Sequence, residues 1–140
     1  MKRDNYIGRM NRVPEAMEQK GIDCFLAGPS ATMRYLSGYS GRGDERLLLL
    51  ILAPGCRPWI FANQLYELQV KDAPVEEFVY WSDGENAVER FIRELRMRGI
   101  RLNTIAIDKS MPGMFSVPIM EQLPGSRLVL GNELVDPLRV

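Results

Sequence analysis

Residues 38–44 of this chain concentrate the features that could do chemistry. Gly38, Gly41 and Gly43 give a G-x-x-G-x-G run, Arg42-Gly43-Asp44 an Arg-Gly-Asp tripeptide, and Ser40 sits within Gly-Tyr-Ser-Gly. A dinucleotide fingerprint would need G-x-G-x-x-G after a strand and at the start of a helix. Here the glycines follow a helical pattern and precede an aliphatic one, so no helix N-terminus is aimed at a phosphate. No Lys-Ser/Thr pair completes a phosphate loop. A serine nucleophile elbow needs glycine two residues before and two after the serine, together with a histidine partner. Arg42 occupies the second glycine position, and the 140 residues contain no histidine. The run therefore reads as a turn between framework elements.

The missing imidazole has wider consequences. It removes the commonest general base near neutral pH and the commonest metal ligand. Carboxylates, Lys, Tyr or one of two cysteines would have to do any catalysis. The nearest acid pairs are Glu76-Glu77 and Asp83 with Glu85. Neighbouring residues on a strand point to opposite faces, so Glu76 and Glu77 do not build one site. Asp83 and Glu85 read as a helix start, and Asp23, Asp108 and Asp136 as turn and cap residues. No acid cluster has metal-ligand spacing. Cys24 and Cys56 read as reduced thiols. Cys56 beside Arg57 leaves a small thiol enzyme as a third class of function.

Bulk composition narrows the partners. Lys plus Arg and Asp plus Glu are 18 each, so the formal net charge is zero. Nucleic-acid binding would call for a basic excess, so no nucleic-acid partner is expected. No apolar run approaches the roughly 20 residues a bilayer requires, and no signal-peptide region opens the chain, so no membrane partner and a cytoplasmic location are expected.

The elements that must position these residues follow from periodicity. Tyr6, Met10, Val13 and Met17 recur at helical spacing with Gly21 as a stop, and Pro14 predicts a kink or restart. Residues 22–27 read as a strand, Ser30 as an N-cap, 31–37 as a short helix and Gly38 as its end. Residues 47–53 predict a strand buried on both faces, 59–62 its hairpin partner, and 75–81 another strand. Ser82 and Glu85 have capping-box spacing ahead of a helix burying Val88, Phe91, Ile92 and Leu95, with Gly99 as terminator. A strand at 104–107, a helix at about 113–122 containing Pro118, and a strand at 127–130 complete the pattern. Trp59 with Phe61, and Phe78 with Tyr80, share strand faces, which leaves room for an aromatic partner surface. The fold class is α/β: one domain over 1–140, with a mixed sheet of about five or six strands and helices on both faces.

The order of these motifs resembles a known family. "MEQKGIDCFLAGPSATMRYLSGYSG", an aliphatic strand, then "PGCRPWIFANQLYELQ" is similar to the N-terminal domain of the creatinase, prolidase and Xaa-Pro aminopeptidase family, the pita-bread metallopeptidases. The resemblance rests on Gly21, Ile22 and Asp23, on Arg34, Tyr35, Leu36, Ser37, Gly38 and Tyr39, and on the tail "LVLGNELVDPLRV". Thr32 stands where the family usually has Asn. Phe61, Asn63, Leu65 and Tyr66 occupy a frame that is usually Phe-x-Asp-x-Arg-Tyr. The resemblance implies a three-layer fold with a ribonuclease H-like motif and a noncatalytic accessory role. Catalysis would lie in a domain after residue 140, absent here, in which Asp, Glu and His hold two divalent ions (Mn, Co or Zn). It implies that this domain packs on its own C-terminal catalytic domain and on a second subunit of a homodimer, and restricts the active-site mouth. Tyr39, Ser40, Arg42, Asp44 and Tyr66 are the candidates for facing that mouth. The parent activity would be a metal-dependent Xaa-Pro peptidase (prolidase or aminopeptidase P-like) or a creatinase-like hydrolase. The alternative is a stand-alone interaction module that has lost the catalytic half.

Overall fold

The computed structural model describes residues 2–39, 41 and 45–139. A six-stranded sheet is ordered β4-β3-β2-β1-β5-β6, built from β1 (Cys24–Ala27), β2 (Leu49–Ala53), β3 (Cys56–Asn63), β4 (Glu77–Trp81), β5 (Thr104–Ile107) and β6 (Arg127–Leu130). β2 is antiparallel to β1 and β3, while β1–β5, β3–β4 and β5–β6 are parallel. Five strands thus run one way and β2 alone runs back.

Side-chain alternation divides the core into two layers. Phe25 and Ala27, Leu50 and Leu52, Ile60 and Ala62 point to one face. That face is covered by α1 (Lys2–Lys20), α2 (Ala31–Ser37), α3 (Glu67–Val70) and α6 (Asn132–Val135). Cys24 and Leu26, Leu49 and Ile51, Trp59 and Phe61 point to the other, under α4 (Ala87–Met97) and α5 (Gly113–Glu121). Every residue of β2 is buried, as expected of a run apolar on both faces.

Several elements differ from the sequence reading. α1 passes through Pro14 without a break. A proline inside a helix costs about 3 kcal/mol, but Met10, Val13 and Met17 are all buried on one face, at roughly 1.5–3 kcal/mol each, so packing wins. The Ser82–Glu85 pair does close, with the Ser82 N–H donating to Glu85 Oε1 at 2.9 Å. It closes a turn ahead of the helix, however. The N-cap is Asn86, whose side chain accepts the Glu89 N–H at 3.1 Å. α3, α6 and the 3₁₀ turns Gln64–Tyr66 and Asp136–Arg139 had no counterpart in the periodicity, being single turns too short to show one.

The aromatic surface is smaller than the strand pattern suggested. Trp59 and Phe61 are fully buried against Phe91 of α4, with ring centroids 6.0 and 5.2 Å away. Phe78 and Tyr80 stack on each other at 6.1 Å and are half-buried. Among the described residues no helix is long and apolar enough to cross a membrane.

Candidate functional site

Because β2 runs back, its start lies at the same rim as the ends of the other five strands. In α/β sheets ligands favour the rim at the carboxyl ends of the strands. The segments gathered there are Gly28–Ser30, the approach to β2, Asn63–Tyr66, Ser82–Asn86 and Asp108–Pro112.

A polar cluster occupies one part of this rim. Arg46 holds Asp83 with both prongs, Nε to Oδ1 and Nη2 to Oδ2, each at 3.1 Å. Asn63, fully buried, donates from Nδ2 to Asp83 Oδ1 at 2.8 Å and accepts the Leu65 N–H at 2.9 Å. The Arg46 and Asn63 hydrogen bonds hold the Asp83 carboxyl below its usual range. Glu85, bonded by the Ser82 N–H and by Arg90 at 2.8 Å, is held low in the same way. Asn63 stands where the resemblance expects Asp. The amide makes chemical sense here, since a second carboxylate would face Asp83 at hydrogen-bond distance.

Asp108 lies further along the rim and is buried. It accepts the Gly28 N–H at 2.9 Å and the Ser110 N–H at 2.8 Å, tying the end of β1 to the end of β5. Burial raises its carboxyl above the ordinary range, against the opposing pull of those N–H groups.

Asp83, Glu85 and Asp108 are thus each committed to partners. Glu76 pairs with Arg57 and Glu77 with Arg98 at 2.9 Å, different partners for neighbours on a strand. Arg98 also lies 4.0 Å over the Trp59 ring. No three of Cys, Asp and Glu among the described residues converge so as to hold a metal ion. The cysteines do not bridge either. Phe25 pairs with Leu52 and Ala53 with Cys56, so β2 lies between Cys24 and Cys56, a separation of about two strand spacings, or ~10 Å. That exceeds the Cα reach of a disulfide, about 7 Å at most. Cys24 is fully buried, and burial pushes its thiol far up.

The Arg34-Tyr35-Leu36-Ser37-Gly38 motif is structural. Ser30 caps α2 by accepting the Met33 N–H at 3.1 Å. Leu36 is buried in the α1 layer. Ser37 Oγ lies 2.8 Å from the Met33 carbonyl and accepts the Tyr39 N–H at 3.3 Å. Gly38 has φ 77, and a Cβ there would sit 2.8 Å from the Tyr6 ring, so both conformation and space require glycine. Tyr35 donates its hydroxyl to the Leu138 carbonyl at 2.6 Å. The Arg9 and Arg139 guanidinium groups lie 4.1 and 4.9 Å from its ring centroid. Arg34 is exposed.

Of the mouth candidates, Tyr39 and Tyr66 both pack, half-buried, against the α1-side core. Tyr39 lines a cavity of about 300 Å³ with Tyr6, Arg3, Gln69 and Asp72. Ser40, Arg42 and Asp44 lie outside the described residues. The Arg46–Asn63–Asp83 cluster and the Tyr35–Leu138 clamp escaped the sequence reading, because each joins segments far apart in the chain without a local pattern.

The description "Creatinase/Prolidase N-terminal domain" matches residues 9–140. The chain belongs to the creatinase/prolidase N-terminal domain family. This creatinase/prolidase domain is similar in structure to dipeptidase PepE from Mycobacterium ulcerans (TM-score 0.87, 26% identity), covering 99% of this chain and 38% of that one. It is similar also to the recombinant prolidase from Thermococcus sibiricus (TM-score 0.81, 25% identity), covering 93% of this chain and 35% of that one. The chain therefore spans little more than a third of these relatives. The Creatinase/Prolidase N-terminal domain of an X-Pro dipeptidase from Streptococcus pyogenes shares the fold at TM-score 0.76 and 18% identity, with 91% of this chain and 97% of that one covered. No curated protein matches the sequence.

Proposed function

We propose that this domain is the noncatalytic N-terminal part of a metal-dependent Xaa-Pro peptidase of the prolidase type. In this reading a C-terminal catalytic domain follows it, holds two divalent ions (Mn, Co or Zn) and performs the hydrolysis. The N-terminal domain narrows the entrance to that active site and contributes to a homodimer in the cytoplasm. The observation that carries the reading is the family match over residues 9–140, together with a chain that spans 38% of the PepE dipeptidase. Asp83, Glu85, Glu77 and Asp108 are engaged by arginines and backbone N–H groups, the part of framework residues in this reading. Tyr39 and Tyr66, on the same layer of the sheet, are the residues offered to the entrance.

Two measurements test this. The purified 140-residue chain should fold and leave an Xaa-Pro dipeptide intact in the presence of Mn²⁺, Co²⁺ or Zn²⁺; metal-dependent cleavage by a homogeneous preparation overturns the noncatalytic role. Sequencing beyond Val140 should reveal about two hundred further residues with an Asp/Glu/His metal set. A stop codon there would instead favour a stand-alone interaction module.

A further inference from the structure

The rim opposite the polar cluster, where β1 and β5 begin and β2 turns into β3, holds a cavity of about 450 Å³. Three connections wall it: residues 21–23 ahead of β1, 53–56 at the β2–β3 turn and 98–101 ahead of β5, with Glu18 from the last turn of α1. That volume falls within the roughly 300–1,000 Å³ of small-molecule sites. Neither Tyr39 nor Tyr66, the residues offered to the peptidase entrance, lies on it.

Its charges are of both signs, and they are not equally free. Arg98 is committed: Nη1 donates to Glu77 at 2.9 Å, and the guanidinium lies 4.0 Å over the Trp59 ring. Asp23 accepts the Thr104 N–H on Oδ2 at 2.9 Å, and its other oxygen has no hydrogen bond among the described residues. Glu18 and Arg101 are exposed and carry no ion pair among the described residues. Pro54 and Ile100 supply apolar wall. This pattern selects a ligand by elimination. A simple anion would be repelled by Glu18 and Asp23, and a simple cation by Arg98 and Arg101. An uncharged apolar molecule would draw these groups out of water without pairing them. A molecule with an ammonium at one end and a carboxylate at the other satisfies both signs.

We propose that this cavity binds a small zwitterion, an unblocked dipeptide. Its ammonium lies against the carboxylates of Glu18 and Asp23, and its carboxylate against the Arg101 guanidinium. The carboxylates and Arg101 stand on different connections, which suits the separated termini of a dipeptide better than the adjacent charges of a free amino acid. The ligand class follows from the cavity's own charges and does not depend on the peptidase reading.

Titrating the isotope-labelled 140-residue chain with the dipeptide Ala-Pro tests this by NMR. Gly21, Gly55 and Gly99 line the cavity, one on each connection. Their amide signals should shift saturably with a Kd of about 1 mM or below, while Gly131, at the other rim, stays in place. Alkylation of Cys56, which also lines the cavity, should slow at saturating dipeptide. N-acetyl-Ala-Pro lacks the ammonium and Ala-Pro-amide the carboxylate, so each should bind roughly fivefold more weakly or worse, and added salt should weaken Ala-Pro itself. Glu18→Gln and Arg101→Gln should each weaken Ala-Pro about fivefold with unchanged melting, both positions being exposed. No saturable shift up to about 20 mM would overturn the proposal. So would blocked dipeptides that bind as well as the free one, or both variants binding like wild type. The blocked ligands make the test on the wild-type chain, independently of the variants. Failure here leaves the peptidase-domain reading intact, since that reading stands on the family match.

Discussion

Replacing Gly131 by alanine isolates crowding from every other cost. Gly131 sits at the end of β6 with φ −97 and ψ 11, a conformation any residue adopts, so alanine there brings no backbone strain. A Cβ would nevertheless lie 2.3 and 2.6 Å from Cε1 and Cδ1 of Phe25, and 3.2 Å from the Ala106 Cβ. Carbon atoms rest about 3.5–4.0 Å apart, so the overlap exceeds an ångström. Phe25 cannot swing away, because it is wholly buried in β1 between β2 and β5. Overpacking a close-packed core costs about 1–3 kcal/mol, and the immovable ring puts this case near 3. For a chain of this size that is a fall in Tm of about 10 °C. Urea unfolding should show the loss as a lower midpoint with unchanged slope. Phe25→Leu opens space at the contact, so the double variant should recover at least about 1.5 kcal/mol relative to the sum of the single changes. A Gly131→Ala loss below about 0.5 kcal/mol, or strictly additive changes, would refute the packing argument.

Three more outcomes follow from the same geometry. Asn63→Asp sets a buried carboxylate against Asp83, which should cost about 2–3 kcal/mol at pH 7. Burial and like charge raise the new group's folded pKa, so the deficit should be absent below the unfolded aspartate value and grow as pH rises through the folded one; a deficit independent of pH would contradict this. Tyr35→Phe removes the bond to the Leu138 carbonyl, for about 1 kcal/mol, and amide exchange should quicken around 136–139 more than in the β2–β3 hairpin. Alkylation of the native protein should modify Cys56 alone, with Cys24 reacting only on unfolding, since its thiol is buried.

Local chemistry made much of this fold readable in advance. The aliphatic run of β2, the Ser30 and Gly38 boundaries of α2 and the apolar face of α4 each announce themselves within a few residues. The misreadings arose where a local rule met a distant contact or a nearer competitor. Pro14 is a helix breaker until Met10, Val13 and Met17 are seen buried together. Ser82 and Glu85 have the right spacing for a cap, but Asn86, one residue on, makes the bond to the helix. The rim cluster was illegible for a simpler reason: Arg46 and Asp83 are 37 residues apart, and Tyr35 and Leu138 are 103. The Arg34–Gly38 motif was visible as a string, but its work as a clamp and a close approach to Tyr6 belongs to tertiary structure.

The lone reversed strand also governs the order in which this chain folds. β2 and β3 are joined by a tight turn at Pro54-Gly55, so their pairing closes a very short loop and is the cheapest in entropy. β1 meets β5 only by bringing Cys24 to Ile105, the kind of distant parallel pairing that slows a search. The hairpin is thus the natural nucleus, with the β5–β6 wing docking last. Mutations such as Ile60→Val should slow folding, whereas Ile105→Val should chiefly hasten unfolding.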